Sequence, residues 1–213
     1  MIRPPIRALV VDFGGVLTTP LHNAMEAFSA GVGIELQDLV RISLRAYTGH
    51  PDPLVVDFET GRILEDEFEV EFAARITEET GVDIEAAGLV ARLFAGLELE
   101  EEMLRAVERA RGSGLMTALL SNSWGTTLYP RTRLDGLFDV MIISGEVGLR
   151  KPDPEIFRLV LDRLGVEPAT AVFVDDHPGH LKAAAGLGLR TVLHRSPAET
   201  LDELEDLLDL ALR

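Results

Sequence analysis

The sequence predicts an α/β protein: a doubly wound, Rossmann-like parallel sheet core with an inserted all-helical domain. Three observations predict it. Five apolar, β-branched-rich runs lie at 6–12, 115–121, 139–144, 171–175 and 190–194. They are continuous rather than alternating, the pattern of strands covered on both faces. Helical periodicity separates most of them, as parallel crossovers require, and residues 18–97 hold helical periodicity alone.

Each element has its own signal. The first run, IRALVVD, ends in Asp12 and leads into Phe-Gly-Gly. Helical segments then read at 21–30, 35–46, 63–80 and 84–95, separated by GVG, TGHPDP, ETG and TGVD. Residues 99–111 place Leu99, Met103, Ala106, Val107 and Ala110 at helical spacing and stop at Gly112. The acidic run ELEEE (98–102) suits that helix's N-terminus, where the dipole favours negative charge. LMTALLS (115–121) and DVMIIS (139–144) are the next strands. A helix over 154–164 has Asp153 as N-cap, Pro154 in its first turn and Gly165 as its stop. AVFVD (171–175), a helix from near Pro178 to near Gly186, RTVLH (190–194) and an amphipathic acidic helix over 197–212 complete the chain. Residues 1–17 and 98–213 thus form the predicted core, and 18–97 the insertion.

Composition narrows the function. The chain has 213 residues and is 46% hydrophobic, enough for a sizeable core with an inserted domain. Thirty-six acidic residues face 20 basic ones, a net charge of −16. That field repels nucleic acid and anionic membranes, and no Lys/Arg cluster offsets it, so neither is an expected partner. There is no cysteine, which excludes disulfides, thiolate chemistry and zinc–sulfur sites. No run approaches the ~18 apolar residues of a membrane span. The N-terminal MIRPPIRALVVDF has an apolar run too short for a secretory signal, and Asp12 ends it. The expectation is a soluble cytoplasmic protein, monomer or homodimer. Among the basic residues only Lys151 and Lys182 are lysines. A chain biased toward Arg keeps Lys where a compact ammonium is required, which singles out Lys151.

Ligands of open parallel sheets bind beyond the carboxyl ends of the strands. Asp12 follows the first strand, Ser121, Asn122 and Ser123 the second, Lys151 of GLRKPDP the third after a loop, and Asp175–Asp176 the fourth. Singly, each also suits turn or helix-cap chemistry. Together they bring three carboxylates, hydroxyls and one ammonium to one crevice. Clustered carboxylates imply a hard divalent ion, Mg²⁺. The ion and Lys151 would neutralise a phosphate, Ser121 and backbone N–H groups would bind its oxygens, and Asp12 would attack.

At this point the chain resembles the haloacid dehalogenase (HAD) superfamily over nearly its whole length. DFGGVL (12–17), LLSNS (119–123), Lys151 with PDPEIF (152–157), and VFVDD (172–176) are similar to its four motifs in order. The insertion resembles the helical cap found at that position, and ETGRILEDEF (59–68) is similar to a cap pattern of epoxide-hydrolase-associated phosphatase domains. The resemblance implies that Asp12 is nucleophile and Mg²⁺ ligand. It implies that Gly14 gives the metal a backbone carbonyl, that Asp176 is a direct ligand, and that Asp175 supports it directly or through water. Gly15, Ser121, Asn122 and Lys151 would bind the transferring group, and Ser121 and Lys151 also join Asp12 in catalysis. The cap would close over the site and select substrate.

Two positions depart from the family pattern. Phosphatase members carry Asp two residues after the nucleophile, as general acid and base, where this chain has Gly14. Such a group is worth ~10²–10⁴-fold in rate. His180 stands where Asn is often found. His177 or His180 would partly replace the missing group, or both are helix-start or surface histidines.

The resemblance thus implies a Mg²⁺-dependent phosphatase of a small phosphorylated metabolite, working through an Asp12 phosphoaspartate and slowed by Gly14. A low-turnover phosphate-binding or regulatory protein is one alternative. A 2-haloacid dehalogenase is another, since halide leaves without a proton, although the paired Asp175–Asp176 argues against it. Arg41 and Arg45 would bind a carboxylate or halide there, or belong to a solvated helix face. Trp124 lines the site or packs under the cap, and Tyr47, His50 and Phe58 are expected substrate contacts.

Overall fold

The computed structural model describes residues 4–43, 52–125 and 128–213. Strands β1 (Ala8–Val11), β2 (Met116–Ser121), β3 (Val140–Ile143), β4 (Ala171–Asp175) and β5 (Arg190–Leu193) form one sheet. Every pairing is parallel and the order is β3-β2-β1-β4-β5. This is the doubly wound, Rossmann-like arrangement. The order reverses between β1 and β4, so the switch-point crevice opens where Asp12 and Asp175 emerge. Val11 pairs with Val174 and Leu119, which sets the three strand ends level.

Alternate strand residues feed two cores. Leu9, Val11, Leu119, Val172 and Val174 pack with α6 (Glu101–Gly112) and α11 (Pro197–Leu208). Ala8, Val10, Leu120 and Phe173 pack with α9 (Pro154–Leu164) and α10 (Pro178–Gly186), while the short helices α7 (Arg131–Leu134) and α8 (Ser144–Val147) precede and follow β3. Burial on both faces explains the continuous apolar runs. Helix α9 starts and stops as its sequence predicts: Asp153 Oδ1 accepts from Glu155 N at 2.9 Å, Pro154 opens the helix, and Gly165 closes it at φ 65°.

A third apolar cluster belongs to the insertion, with α1 (Leu21–Val32), α2 (Leu36–Ser43), α3 (Pro53–Glu59), α4 (Glu65–Thr80) and α5 (Leu89–Leu93) around Phe58, Phe68 and Phe72. Two segments join it to the sheet domain side by side. Thr18 bridges Leu99, Thr19 N donates to Glu98 O at 2.8 Å, and Glu100 N to Leu17 O at 2.9 Å. Helix α3 is not among the helical segments expected from the sequence; it has seven residues, with Asp52 as its N-cap and Pro53 in its first turn. Helix α5 is shorter than the 84–95 expectation, because Gly88 at φ 69° starts it late. Arg45, Tyr47 and His50 lie outside the described residues.

Candidate active site

Asp12 closes β1. Its backbone N–H still donates to Val174 O at 2.9 Å, so the residue is held by the sheet. Its carboxylate is buried, and Oδ1 receives Phe13 N–H at 2.7 Å and Lys151 Nζ at 2.9 Å. Among the described residues no donor reaches Oδ2. The chain then turns through Gly14 and Gly15. Gly15 has φ 73°, and a Cβ there would stand 2.4 Å from Asp176 Oδ2, so only glycine lets the Asp176 carboxylate come this close.

Lys151 is fully buried. Nζ donates to Asp175 Oδ2 at 2.7 Å as well as meeting Asp12. Burial opposes its charge, but the two carboxylates outweigh burial and raise its pKa. Asp175 is also fully buried, and burial resists its ionisation. Lys151 and His180 overcome that and hold its carboxyl below the usual range. Its Oδ1 accepts from His177 N at 2.7 Å, and His180 Nδ1 lies 3.1 Å from both oxygens. Asn122 fixes the lysine's backbone rather than its ammonium: Lys151 N donates to Oδ1 at 2.8 Å and Nδ2 donates to Lys151 O at 3.0 Å. Ser121 Oγ accepts from the Tyr129 hydroxyl at 2.9 Å, which burial keeps protonated.

Asp176 opens to the cavity. The protein massed around it, then the charge of Asp175, raise its carboxyl to about 6. Burial also raises Asp12 well above its usual range; Lys151 opposes this, and Asp175 and Asp176 add to it. Three carboxylates therefore share one ammonium, and the excess negative charge suits a hard divalent cation bound through oxygen. Asp12 and Asp176 on the cavity, with the Gly14 carbonyl in the same turn, are a fitting donor set. Asp12, Asp175 and His180 also bring ligand atoms within 4.8 Å of one another. The Lys151 ammonium already serves that group.

A cavity of about 260 Å³ lies over these residues, lined by Asp12, Gly14, Ser121, Asn122, Asp176, His177 and His180. Burial, with Lys151 beside it, lowers His180 to about 4, so it is neutral at pH 7. His177 Nδ1 accepts from Gly179 N at 3.2 Å and so caps α10. Both histidines therefore have local structural partners.

Sequence reasoning missed the insertion's share of the wall: Leu21, His22, Met25, Val40, Ser43 and Phe94. Helical periodicity marks which residues are apolar but cannot say which face meets a distant strand end. Trp124 fills both roles proposed for it. It lines the cavity, packs edge-on against Phe68, Phe72 and Phe94, and donates from Nε1 to Glu59 at 3.1 Å. Phe58 is not a cavity residue: it is buried in the insertion core and stacks on Phe68 at 3.9 Å. Arg41 pairs with Asp38 and Glu79 on the exposed face of α2.

This fold and site define a class. The haloacid dehalogenase-like hydrolase family profile matches residues 6–188, and the chain belongs to that family of hydrolases. It is 30% identical over 226 residues to bifunctional epoxide hydrolase 2 of Sus scrofa, covering 97% of this chain and 40% of that protein. The chain therefore spans well under half the length of that relative. Over 89 residues it is 42% identical to the phosphoserine phosphatase of Thermus thermophilus, covering 39% of this chain and 35% of that protein. A HAD family enzyme of Bacteroides thetaiotaomicron, solved in complex with magnesium and inorganic phosphate, shares the fold at a TM-score of 0.67. Its identity is 24%, over 93% of this chain and 98% of that one.

Proposed function

We propose that this protein is a Mg²⁺-dependent phosphatase acting on a small phosphorylated metabolite, with Asp12 as nucleophile. The observation that carries this reading is the divided carboxylate of Asp12. Oδ1 is held by Lys151 and the Phe13 N–H, and among the described residues Oδ2 of this cavity-lining side chain meets no donor. An orientation fixed through one oxygen leaves the other to attack.

Asp12, Asp176 and the Gly14 carbonyl would hold the ion, which when bound offsets the phosphate charge against the carboxylates. Asp175 serves instead to keep Lys151 charged and aimed at Asp12. The Ser121 hydroxyl, supported by Tyr129, donates to a phosphate oxygen, and Gly15 keeps the backbone clear of Asp176. Asn122 sets the position of Lys151. Attack by Asp12 Oδ2 on phosphorus forms the acyl phosphate and breaks the ester P–O bond, releasing the alcohol. Water then hydrolyses the acyl phosphate to restore Asp12. No side chain at position 14 handles the leaving-group proton, so cavity water supplies it and turnover is slow on poor leaving groups. Residues 18–97 act as a cap over this core, since α1, α2 and Phe94 complete the cavity. The phosphatase relative and the magnesium and phosphate complex of the Bacteroides enzyme support the reading.

The test is phosphate release from a panel of monoesters with and without Mg²⁺, beside halide release from 2-haloacids. Release that requires Mg²⁺ and is absent in Asp12→Asn supports the reading. Halide release, or tight phosphate binding without turnover, contradicts it.

A further inference from the structure

The cavity joins an acidic floor to an apolar wall. Leu21, Met25, Val40, Phe94 and Trp124 make the wall, and Asp12 and Asp176 belong to the floor. No lysine or arginine is among its described lining residues. A second negative charge on a bound molecule would lose its water beside carboxylates, with no lysine or arginine among the described lining residues to replace it. At about 260 Å³ the space lies below the ~300–1,000 Å³ of sites for drug-sized ligands, so it suits a small organic group.

Two polar residues interrupt the wall, the exposed His22 and the buried Ser43. Ser43 is the last described residue of α2 and is buried at 1% exposure, and among the described residues its Oγ has no hydrogen-bond partner. A helical serine commonly bonds back to a carbonyl one turn earlier, and this one does not. Leu39 and Ile42 on the same helix are buried in the apolar cluster, where an unpaired hydroxyl is unfavourable. Alanine would fill the same space without that penalty. The hydroxyl borders the cavity that holds Asp12, so a molecule there is its available partner.

We propose that Ser43 is a specificity-determining residue that hydrogen-bonds an uncharged polar group, a hydroxyl or carbonyl, on the alcohol portion of a small phosphate monoester whose remaining surface is apolar. The assignment rests on the phosphatase reading for its chemistry and on Ser43 for its selectivity.

Three probes test it: n-butyl phosphate, its analogue with a hydroxyl at the chain end, and its analogue with a carboxylate there. Phosphate release and direct calorimetric binding in Mg²⁺ are both measured, on the wild type and on Ser43→Ala. The wild type is expected to favour the hydroxyl analogue over butyl phosphate by about tenfold or more, and to disfavour the carboxylate. In Ser43→Ala the hydroxyl-to-butyl ratio falls to about one. An unchanged ratio in the variant, or a wild-type preference for the carboxylate, overturns the proposal. No release from any probe, with the binding ratio present and lost in Ser43→Ala, supports the Ser43 assignment while removing the phosphatase reading.

Discussion

A Cβ on Gly14 would stand 3.2 Å from Leu21 Cδ2 and 3.4 Å from Cδ1. The first residue of α1 would therefore have to give by a few tenths of an ångström to admit a side chain at position 14. Space at position 14 is therefore set by the insertion as well as by the turn after β1.

An acid/base at position 14 is expected to work best when Leu21 also makes room. Gly14→Asp alone must displace Leu21, whereas Gly14→Asp with Leu21→Ala has room. On an alkyl phosphate, whose alcohol leaves poorly without a proton, the double variant is expected to raise kcat about tenfold or more over wild type, and the single variant less. With p-nitrophenyl phosphate, whose leaving group needs little protonation, the gain is expected to shrink. Steady-state kinetics on the two esters checks this.

Lys151 stands between two buried carboxylates, 2.9 Å from Asp12 and 2.7 Å from Asp175. Lys151→Met leaves them facing each other, and the expected destabilisation is about 3–5 kcal/mol. Arginine is planar and larger, so Lys151→Arg is not expected to restore stability or activity. Urea unfolding in Mg²⁺-free buffer measures the first effect and phosphate release the second.

Metal affinity should fall in acid. Asp176 is raised to about 6 by the protein around it and then by Asp175, so its transition lies near pH 6. Asp12 is raised too. A raised carboxylate holds its proton longer, and the proton must leave before the ion binds. Mg²⁺ affinity is therefore expected to weaken by roughly tenfold per pH unit below the Asp176 transition, and more steeply where Asp12 also protonates. Calorimetric titration between pH 5 and 8 checks it, and Asp176→Asn should weaken binding and flatten the profile.

Glu59 ties the insertion to the sheet domain. It is fully buried at the end of α3, where its carboxylate receives Arg150 Nε and Trp124 Nε1 and its carbonyl receives Ser144 Oγ. Glu59→Ala removes the carboxylate from a buried pair, with an expected loss of about 3–5 kcal/mol. Denaturant unfolding reads the loss. Activity should fall as well, because Trp124 lines the cavity and Arg150 precedes Lys151.

The sheet was legible in the sequence because its strands are buried on both faces, which makes runs such as VVD and VFVD unmistakable. The strand-end residues were legible because topology alone brings Asp12 and Asp175 together. Their division of labour was not. That Asn122 grips the Lys151 backbone, and that Asp175 receives His177 N and Lys151 Nζ, depends on side-chain directions no spacing encodes. The insertion was the least legible part. Phe58 looked available for substrate, yet its ring stacks on Phe68, while Leu21, Ser43 and Phe94 reach the cavity with no motif to mark them. Helix packing angles decide that, and periodicity leaves them open.

The most direct measurement is phosphate release by the purified protein, comparing wild type with Asp12→Asn in the presence and absence of Mg²⁺. Release that is Mg²⁺-dependent and falls to background in the variant is the predicted result. Release that persists in Asp12→Asn, or proceeds equally without Mg²⁺, would contradict the central claim that Asp12 attacks phosphate in a metal-loaded site.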